Sequence, residues 1–205
     1  MEDFCCDFHT HRPSGIHPEL ISGSDPAAGE YTSLEYHPWY LPEQFSPLPE
    51  ELKQQLPAFT ALGEIGLDRL RGPQLSVQME YFTALCQLAA DCRKPVVIHA
   101  VKAFPEIFSI LKRFDLRWML HGFRGSVTML ENIWSHGGTV SFHPQICRFP
   151  ALLAKLREPE GKFGFESDDS EAVTEDICAK AAAASGNTDL QQLANRNFME
   201  FVNGK

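Results

Sequence analysis

From residue 74 onward the chain alternates between helix-period segments and short β-branched runs, and nothing else in the sequence limits its fold as much. Residues 77–89 place Met79, Phe82, Cys86 and Ala89 on one helical face, at steps of three and four. Pro95-Val96-Val97-Ile98-His99 follows as a compact apolar run, the pattern of a strand buried on both faces. A helix is then expected over residues 104–114, a strand over 116–121, a helix over 126–135 and a strand over 138–142. A short helix over 151–156, a strand over 163–166 and helices over 171–184 and 190–202 complete the series. Strands separated by single helices imply βαβ units and a parallel sheet.

The first third is less regular. Residues 4–9, 32–36 and 59–64 read as strands, while Pro13, Gly15, Pro18, Gly23, Pro26 and Gly29 forbid a full helix between residues 12 and 31. At most a stub strand fits at residues 20–22. No linker, low-complexity tract or repeat interrupts the chain, so residues 1–205 are expected to form one domain. Seven strands and one stub suit either an open doubly wound sheet or a closed (β/α)8 barrel. Barrels usually take ~250 residues and rarely fewer than ~200. The expectation is a compact, distorted TIM-type barrel whose early βα units are degenerate.

The polar residues favour the barrel. His9, His11, Glu64, His99, His121 and Asp168 all fall at the C-terminal ends of expected strands. His9 and His11, two residues apart, share one face of a strand. A barrel draws such strand ends toward one axis, whereas an open sheet spreads them along a line. Imidazoles with carboxylates suit Zn, Mn, Fe or Ni better than Ca. Six ligands exceed the three or four of a single catalytic zinc and leave material for two ions. Each residue also has a plainer reading. An H-x-H pair is a weak motif, Glu64 could lie in a solvated turn, His99 and His121 could be hydrogen-bonded core residues, and Asp168 could cap a helix. Their common placement at strand ends makes one shared site the better account.

Composition narrows the function further. Eighteen Lys+Arg against 27 Asp+Glu give a net charge of −9, which argues against broad coating of a nucleic acid but allows a small positive pocket for one phosphate. No apolar run reaches the ~18 residues of a membrane helix, and the first residues do not read as a secretion signal. A cytoplasmic protein without a membrane partner is expected. The six cysteines form no C-x-x-C pair, so reduced thiols are expected rather than a zinc finger or a dithiol.

Five ordered motifs carry a family resemblance. Asp7-Phe8-His9-Thr10-His11, Gly63-Glu64-Ile65-Gly66-Leu67-Asp68, Pro95-Val96-Val97-Ile98-His99, His121-Gly122-Phe123-Arg124-Gly125-Ser126 and Glu166-Ser167-Asp168 together resemble the TatD family of metal-dependent hydrolases. The likeness runs from residue 7 to the Asn195-Arg196-Asn197-Phe198 segment. It implies two divalent ions per chain (Zn, Mn or Mg), one held by His9, His11, Glu64 and Asp168, and a second by His99 and His121 with Glu64 bridging. It also implies hydrolysis of phosphodiesters, as a deoxyribonuclease acting on DNA ends or single strands; a monomer is compatible with this. The chain departs from the family where an arginine usually follows the Ile-His motif, here Val101 beside Lys102, and at Gly122 and Arg124. All the metal-ligand positions are kept.

The roles expected at such a site follow from its chemistry. A hydroxide held between the ions would attack phosphorus, with Glu64 bridging and Asp168 serving as general base as well as ligand. Arg12, Lys102 and Arg124 are candidates for a phosphate clamp, or else solvated loop charges. His37 would contact substrate or protonate the leaving group, and His143 would line the same pocket; His17 and His136 read as surface residues. Trp39, Tyr40 and Phe123 could stack a base or simply pack. A phosphatase or an amide or lactone hydrolase could use the same site. A catalytically silent metal-binding or interaction barrel is the alternative from outside enzymology.

Overall fold

A computed structural model describes residues 4–158 and 161–204. Eight strands follow one another in chain order as a closed barrel: β1 (Asp7–Thr10), β2 (Glu19–Gly23), β3 (Tyr31–Leu34), β4 (Ala61–Asp68), β5 (Val96–Val101), β6 (Trp118–Leu120), β7 (Thr139–Phe142) and β8 (Phe163–Phe165). The helices are α1 (Glu50–Gln55), α2 (Leu75–Asp91), α3 (Phe104–Leu111), α4 (Val127–Ser135), α5 (Pro150–Lys155), α6 (Thr174–Ser185) and α7 (Leu190–Asn203). The strand pairs are parallel, and the expected TIM-type barrel is the fold. Its early units are degenerate as anticipated, since no helix separates β1 from β2 or β2 from β3 among the described residues.

Two local expectations need correction, and one helix was not foreseen. The stub at residues 20–22 is a full strand, because Pro18 and Pro26 both fall outside it. The first strand starts at Asp7 rather than residue 4, since the backbone N–H of Cys6 donates to the Asn195 side chain (2.9 Å) instead of entering a ladder. Helix α1, with Glu50 and Glu51 in its first turn, was hidden among prolines. No helix of the described residues is long and apolar enough to cross a membrane, and no disulfide joins any of the six cysteines.

The chain divides into two compact units, Met1–Ile21 with Leu120–Lys205, and Ser22–Met119. In the first, β1 is buried throughout. Phe8 stands edge-on to Phe198 of α7 at 5.3 Å, and it lies so close to Gly164 of β8 that a Cβ there would meet its ring at 2.0 Å. Only glycine lets that strand pass the ring. Asn197 of α7 donates from its Nδ2 to the carbonyls of Gly161 (3.0 Å) and Phe163 (2.9 Å), pinning the helix to the end of β8.

In the second unit every residue of β4 is buried, and β4 pairs with β5 from Ile65↔Ile98 to Asp68↔Val101. The inner face of α2 carries Phe82, Cys86 and Ala89 as the periodicity predicts, but Gln78 occupies the core position expected for Met79. A buried amide is tolerated there because both its oxygen and its nitrogen are hydrogen-bonded. Its Oε1 accepts from the Asp68 N–H (2.7 Å), and its Nε2 donates to the carbonyls of Asp68 (2.9 Å) and Pro73 (2.8 Å). Gln78 thereby fixes the C-terminal end of β4, where polar chemistry begins.

Candidate metal centre

In the first unit, β1 delivers His9 and His11 with the alternation expected of a strand. Backbone bonds then set Asp168 beside them: its N–H donates to the His9 carbonyl (3.0 Å), and its own carbonyl accepts from the His11 N–H (3.2 Å). Asp168 adopts φ 55°, left-handed backbone that Asp tolerates better than most residues. Its Oδ1 lies 3.8 Å from His9 Nε2 and 4.0 Å from His11 Nε2. The His9 ring centroid is 4.9 Å from that of His11 and 4.6 Å from that of His121, which directly follows β6. His9, His121 and Asp168 each offer a ligand atom within 4.8 Å of the other two.

Behind these side chains lie two carboxylates whose role sequence reasoning missed. Glu166 is fully buried, with Oε1 3.6 Å from His121 Nδ1, and it also accepts from the Ser141 hydroxyl. Burial is the largest influence on it and pushes its pKa up, but His121, His9 and Ser141 together hold it below the ordinary carboxylate value. Asp7 accepts from the N–H groups of His9 (3.1 Å) and Ser167 (3.1 and 3.2 Å). Burial outweighs those donors and pushes its carboxyl up to about 8. Both residues stand two positions before a ligand candidate, so the period of two was the signal that could have found them.

His143 and Arg124 belong to the same neighbourhood. The His143 imidazole is held below its ordinary pKa by burial first and then by the positive charge of Arg124, with Glu166 and Asp168 opposing. Arg12 extends into solvent and faces Glu171 at 3.6 Å. His17 is not a surface residue: its side chain is only 4% exposed, between Glu19 (3.8 Å) and Glu175 (3.6 Å), because the residues leading into β2 tuck against the start of α6. His136 is exposed as expected. Phe123 is buried and packs against Phe142 at 6.0 Å, so its ring belongs to the core and is not offered to a base.

In the second unit Glu64 is 4% exposed and lies midway along β4, not at its end as expected, because the strand runs on beside β5 to Asp68. Its Oε2 is 3.4 Å from His99 Nδ1 and 3.5 Å from His37 Nε2. His37 caps the 3₁₀ turn Pro38–Tyr40, where its Nδ1 accepts from the Trp39 N–H (3.1 Å), so Nε2 turns to Glu64. His37, Glu64 and His99 form a second group whose ligand atoms lie within 4.8 Å of one another. Asp68 closes it from below. Its Oδ2 is 3.1 Å from His99 Nε2 and accepts from the Trp39 indole (2.6 Å), while Oδ1 accepts from the Leu70 N–H (2.7 Å). Burial again pushes this carboxyl up, but Trp39, Leu70 and His99 hold it below the ordinary value. The Arg71 guanidinium covers the Trp39 ring at 3.6 Å from its centroid. Glu64, Gly66 and Asp68 alternate along β4, which is how Asp68 could have been recognised. Lys102 is exposed, directly after β5.

Imidazoles and carboxylates in sets of three, one backed by Glu166 at 3.6 Å from His121 and the other by Asp68 hydrogen-bonded to His99, fit a borderline divalent cation. The comparisons with known proteins agree. A family model described as TatD related DNase matches residues 15–168. An uncharacterized metal-dependent hydrolase of Haemophilus influenzae is 35% identical over 159 residues, 65% of this chain and 61% of that protein. Another, of Methanocaldococcus jannaschii, is 29% identical over 121 residues, 57% and 47% of the two chains. This chain thus spans about half to three-fifths of the length of the curated relatives it matches. Among solved structures, the TatD homologue YJJV of Escherichia coli K12 superposes with a TM-score of 0.79 at 22% identity, covering 98% of both chains. A hydrolase TatD family protein of Entamoeba histolytica gives 0.74 at 14% identity, covering 98% of this chain and 99% of that one. The barrel agrees with these folds and the family model spans most of the chain: it belongs to the TatD family.

Proposed function

We propose that this chain is a divalent-metal-dependent phosphodiesterase acting on DNA, with His9, His11, Glu64, His99, His121 and Asp168 as metal ligands. The observation that carries the reading is the pair of imidazole–carboxylate groups, each with three ligand atoms within 4.8 Å of one another. Bound divalent ions, two per chain, would supply a water of lowered pKa and neutralise charge developing on phosphate. Asp168 takes the proton of the attacking water, and its backbone bonds to His9 and His11 hold the carboxylate in place for that transfer. Asp68 orients His99 through its hydrogen bond to Nε2, and Glu166, 3.6 Å from Nδ1 of His121, backs that imidazole with its charge. His37 is an additional ligand candidate or a substrate contact, and His143 and Arg124 meet the phosphate. Arg12 and Lys102 stand as candidate outer contacts to the nucleic-acid backbone. The description of the matching family as TatD related DNase supports DNA as the substrate.

The test pairs Asp168→Asn with metal reconstitution. Purified protein loaded with Mg, Mn or Zn is assayed on single-stranded DNA, a phosphomonoester and an acylated amine, with bound metal counted by mass spectrometry. The expected result is two ions per chain and cleavage of DNA that Asp168→Asn abolishes without altering the circular dichroism spectrum. Substantial DNA cleavage by Asp168→Asn, or preference for either of the other substrates, contradicts the proposal.

A further inference from the structure

We infer that the hollow beside His37 is a nucleobase subsite with a preference for guanine, an inference that rests on the phosphodiesterase reading above. The hollow measures about 460 Å³ and is bounded by Glu35, Tyr36, His37, Tyr40, Leu41 and Pro42, along with the end of β2. That volume lies within the range of small-ligand pockets and accommodates a nucleoside. His37 is its link to the candidate metal centre, because the same imidazole that walls the hollow has its Nε2 3.5 Å from Glu64. A group lodged there is covalently close to the phosphate being cleaved.

The chemistry of the walls says which group. None of the lining residues is Lys or Arg, and the single charge among them is Glu35, so a phosphate is repelled and a neutral group bearing N–H donors is favoured. Tyr40 is 77% exposed, an unusual setting for a phenol, and its ring centroid lies 5.7 Å from that of His37. An open aromatic face beside a catalytic cluster is the arrangement on which a base stacks. Leu41 and Pro42 add apolar surface. The Glu35 N–H bonds to the Gly23 carbonyl at 3.1 Å, which ties the two strand ends together at the hollow.

A carboxylate accepts two parallel hydrogen bonds. Guanine alone presents two adjacent donors, N1–H and the N2 amine, on one edge. Adenine and cytosine each place one amine beside an acceptor nitrogen. Thymine flanks its single N3–H with two carbonyl oxygens, which a carboxylate opposes. The order of preference is therefore guanine first, adenine and cytosine next, thymine last.

The experiment measures binding of the four deoxynucleoside 5′-monophosphates and of deoxyribose 5-phosphate by calorimetry, using the protein as purified, in wild type, Glu35→Gln and Tyr40→Ala. In parallel, the metal-loaded protein is assayed on short single strands that differ in one base and on bis(4-nitrophenyl) phosphate. Deoxyguanosine monophosphate should bind about ten-fold or more tighter than thymidine monophosphate. Glu35→Gln should bring that ratio close to one, and Tyr40→Ala should bring all four nucleotides toward the abasic sugar phosphate. Equal affinity for all five ligands, or a guanine-to-thymine ratio unchanged in Glu35→Gln, overturns the subsite even when the generic diester is hydrolysed. If no diester is hydrolysed the phosphodiesterase reading fails, and the binding titration still decides the base preference by itself.

Discussion

Gly66 sits between Glu64 and Asp68 on β4, in register with His99 of β5, at φ +148°. A methyl group at this position would lie 2.0 Å from the His99 carbonyl oxygen, 2.9 Å from its carbon and 3.0 Å from its nitrogen. Carbon-to-oxygen contacts between strands ordinarily run about 3.3 Å or more, so the two strands would have to part by roughly 1.3 Å. The obstacle is backbone, so no side-chain rotation relieves it. Overpacking of a filled core costs about 1–3 kcal/mol, and holding a Cβ-bearing residue in this backbone region costs about 1–3 kcal/mol more. Gly66→Ala should therefore lose about 2–6 kcal/mol. For a chain of this size, each kcal/mol lowers Tm by about 2–4 °C, giving a drop of about 4–24 °C. Parting the strands at His99 also moves one ligand candidate, so bound metal should fall along with Tm. The assay is thermal unfolding followed by circular dichroism, with metal counted on the same samples. Gly23→Ala serves as the control, because nothing lies within 4 Å of a Cβ there; its Tm should hold or rise slightly. A Gly66→Ala protein that melts within 2 °C of wild type and keeps its metal would refute both the steric estimate and the rigidity of the Gly66–His99 register.

Other measurements probe the site's electrostatics and packing. The His143 imidazole should titrate below 6.5 by NMR, and Arg124→Ala should raise its pKa, since burial and Arg124 both lower it; an unmoved titration curve would show that Arg124 does not face it. Because the folded value is depressed, the unfolded chain binds the extra proton, so this contribution to stability is present above 6.5 and is lost as pH falls through the folded value. Trp39→Phe keeps a ring beneath Arg71 but deletes the donor to Asp68, and should cost about 1.5–3 kcal/mol in urea unfolding at pH 7. A change under 0.5 kcal/mol would mean the indole bond contributes little. Chelation should lower Tm: a free ion at 100 times its Kd stabilises by about 2.7 kcal/mol, or about 5–11 °C here. Calorimetry that finds the same Tm with and without chelator would oppose metal binding by the folded protein.

Much of the barrel could be read locally. Val96, Val97 and Ile98 announce a strand because a parallel strand covered on both faces needs no polar residue, and β5 indeed begins at Val96. The helical spacing of Phe82, Cys86 and Ala89 identified the inner face of α2 for a similar reason. The candidate ligands were legible because a polar side chain ending an apolar run is costly unless something binds it. His17 misled because its neighbours Gly15 and Pro18 suggested an open loop, whereas contacts with Glu175, far along the chain, bury it.

The sequence by itself determined most of the alternation of strands and helices and set imidazoles and carboxylates on or next to the strands, since both follow from periods of two and 3.6 along a short stretch of chain. Glu64 and His99 nevertheless lie inside β4 and β5 and not at their ends. Only the tertiary structure decided which partner each buried acid meets. Asp7 takes the Ser167 N–H from 160 residues away, Asp68 takes the Trp39 indole from 29, and Glu166 takes the Ser141 hydroxyl from 25. Those pairings depend on strand register and on the water that burial removes, and neither is written in the spacing of neighbouring residues.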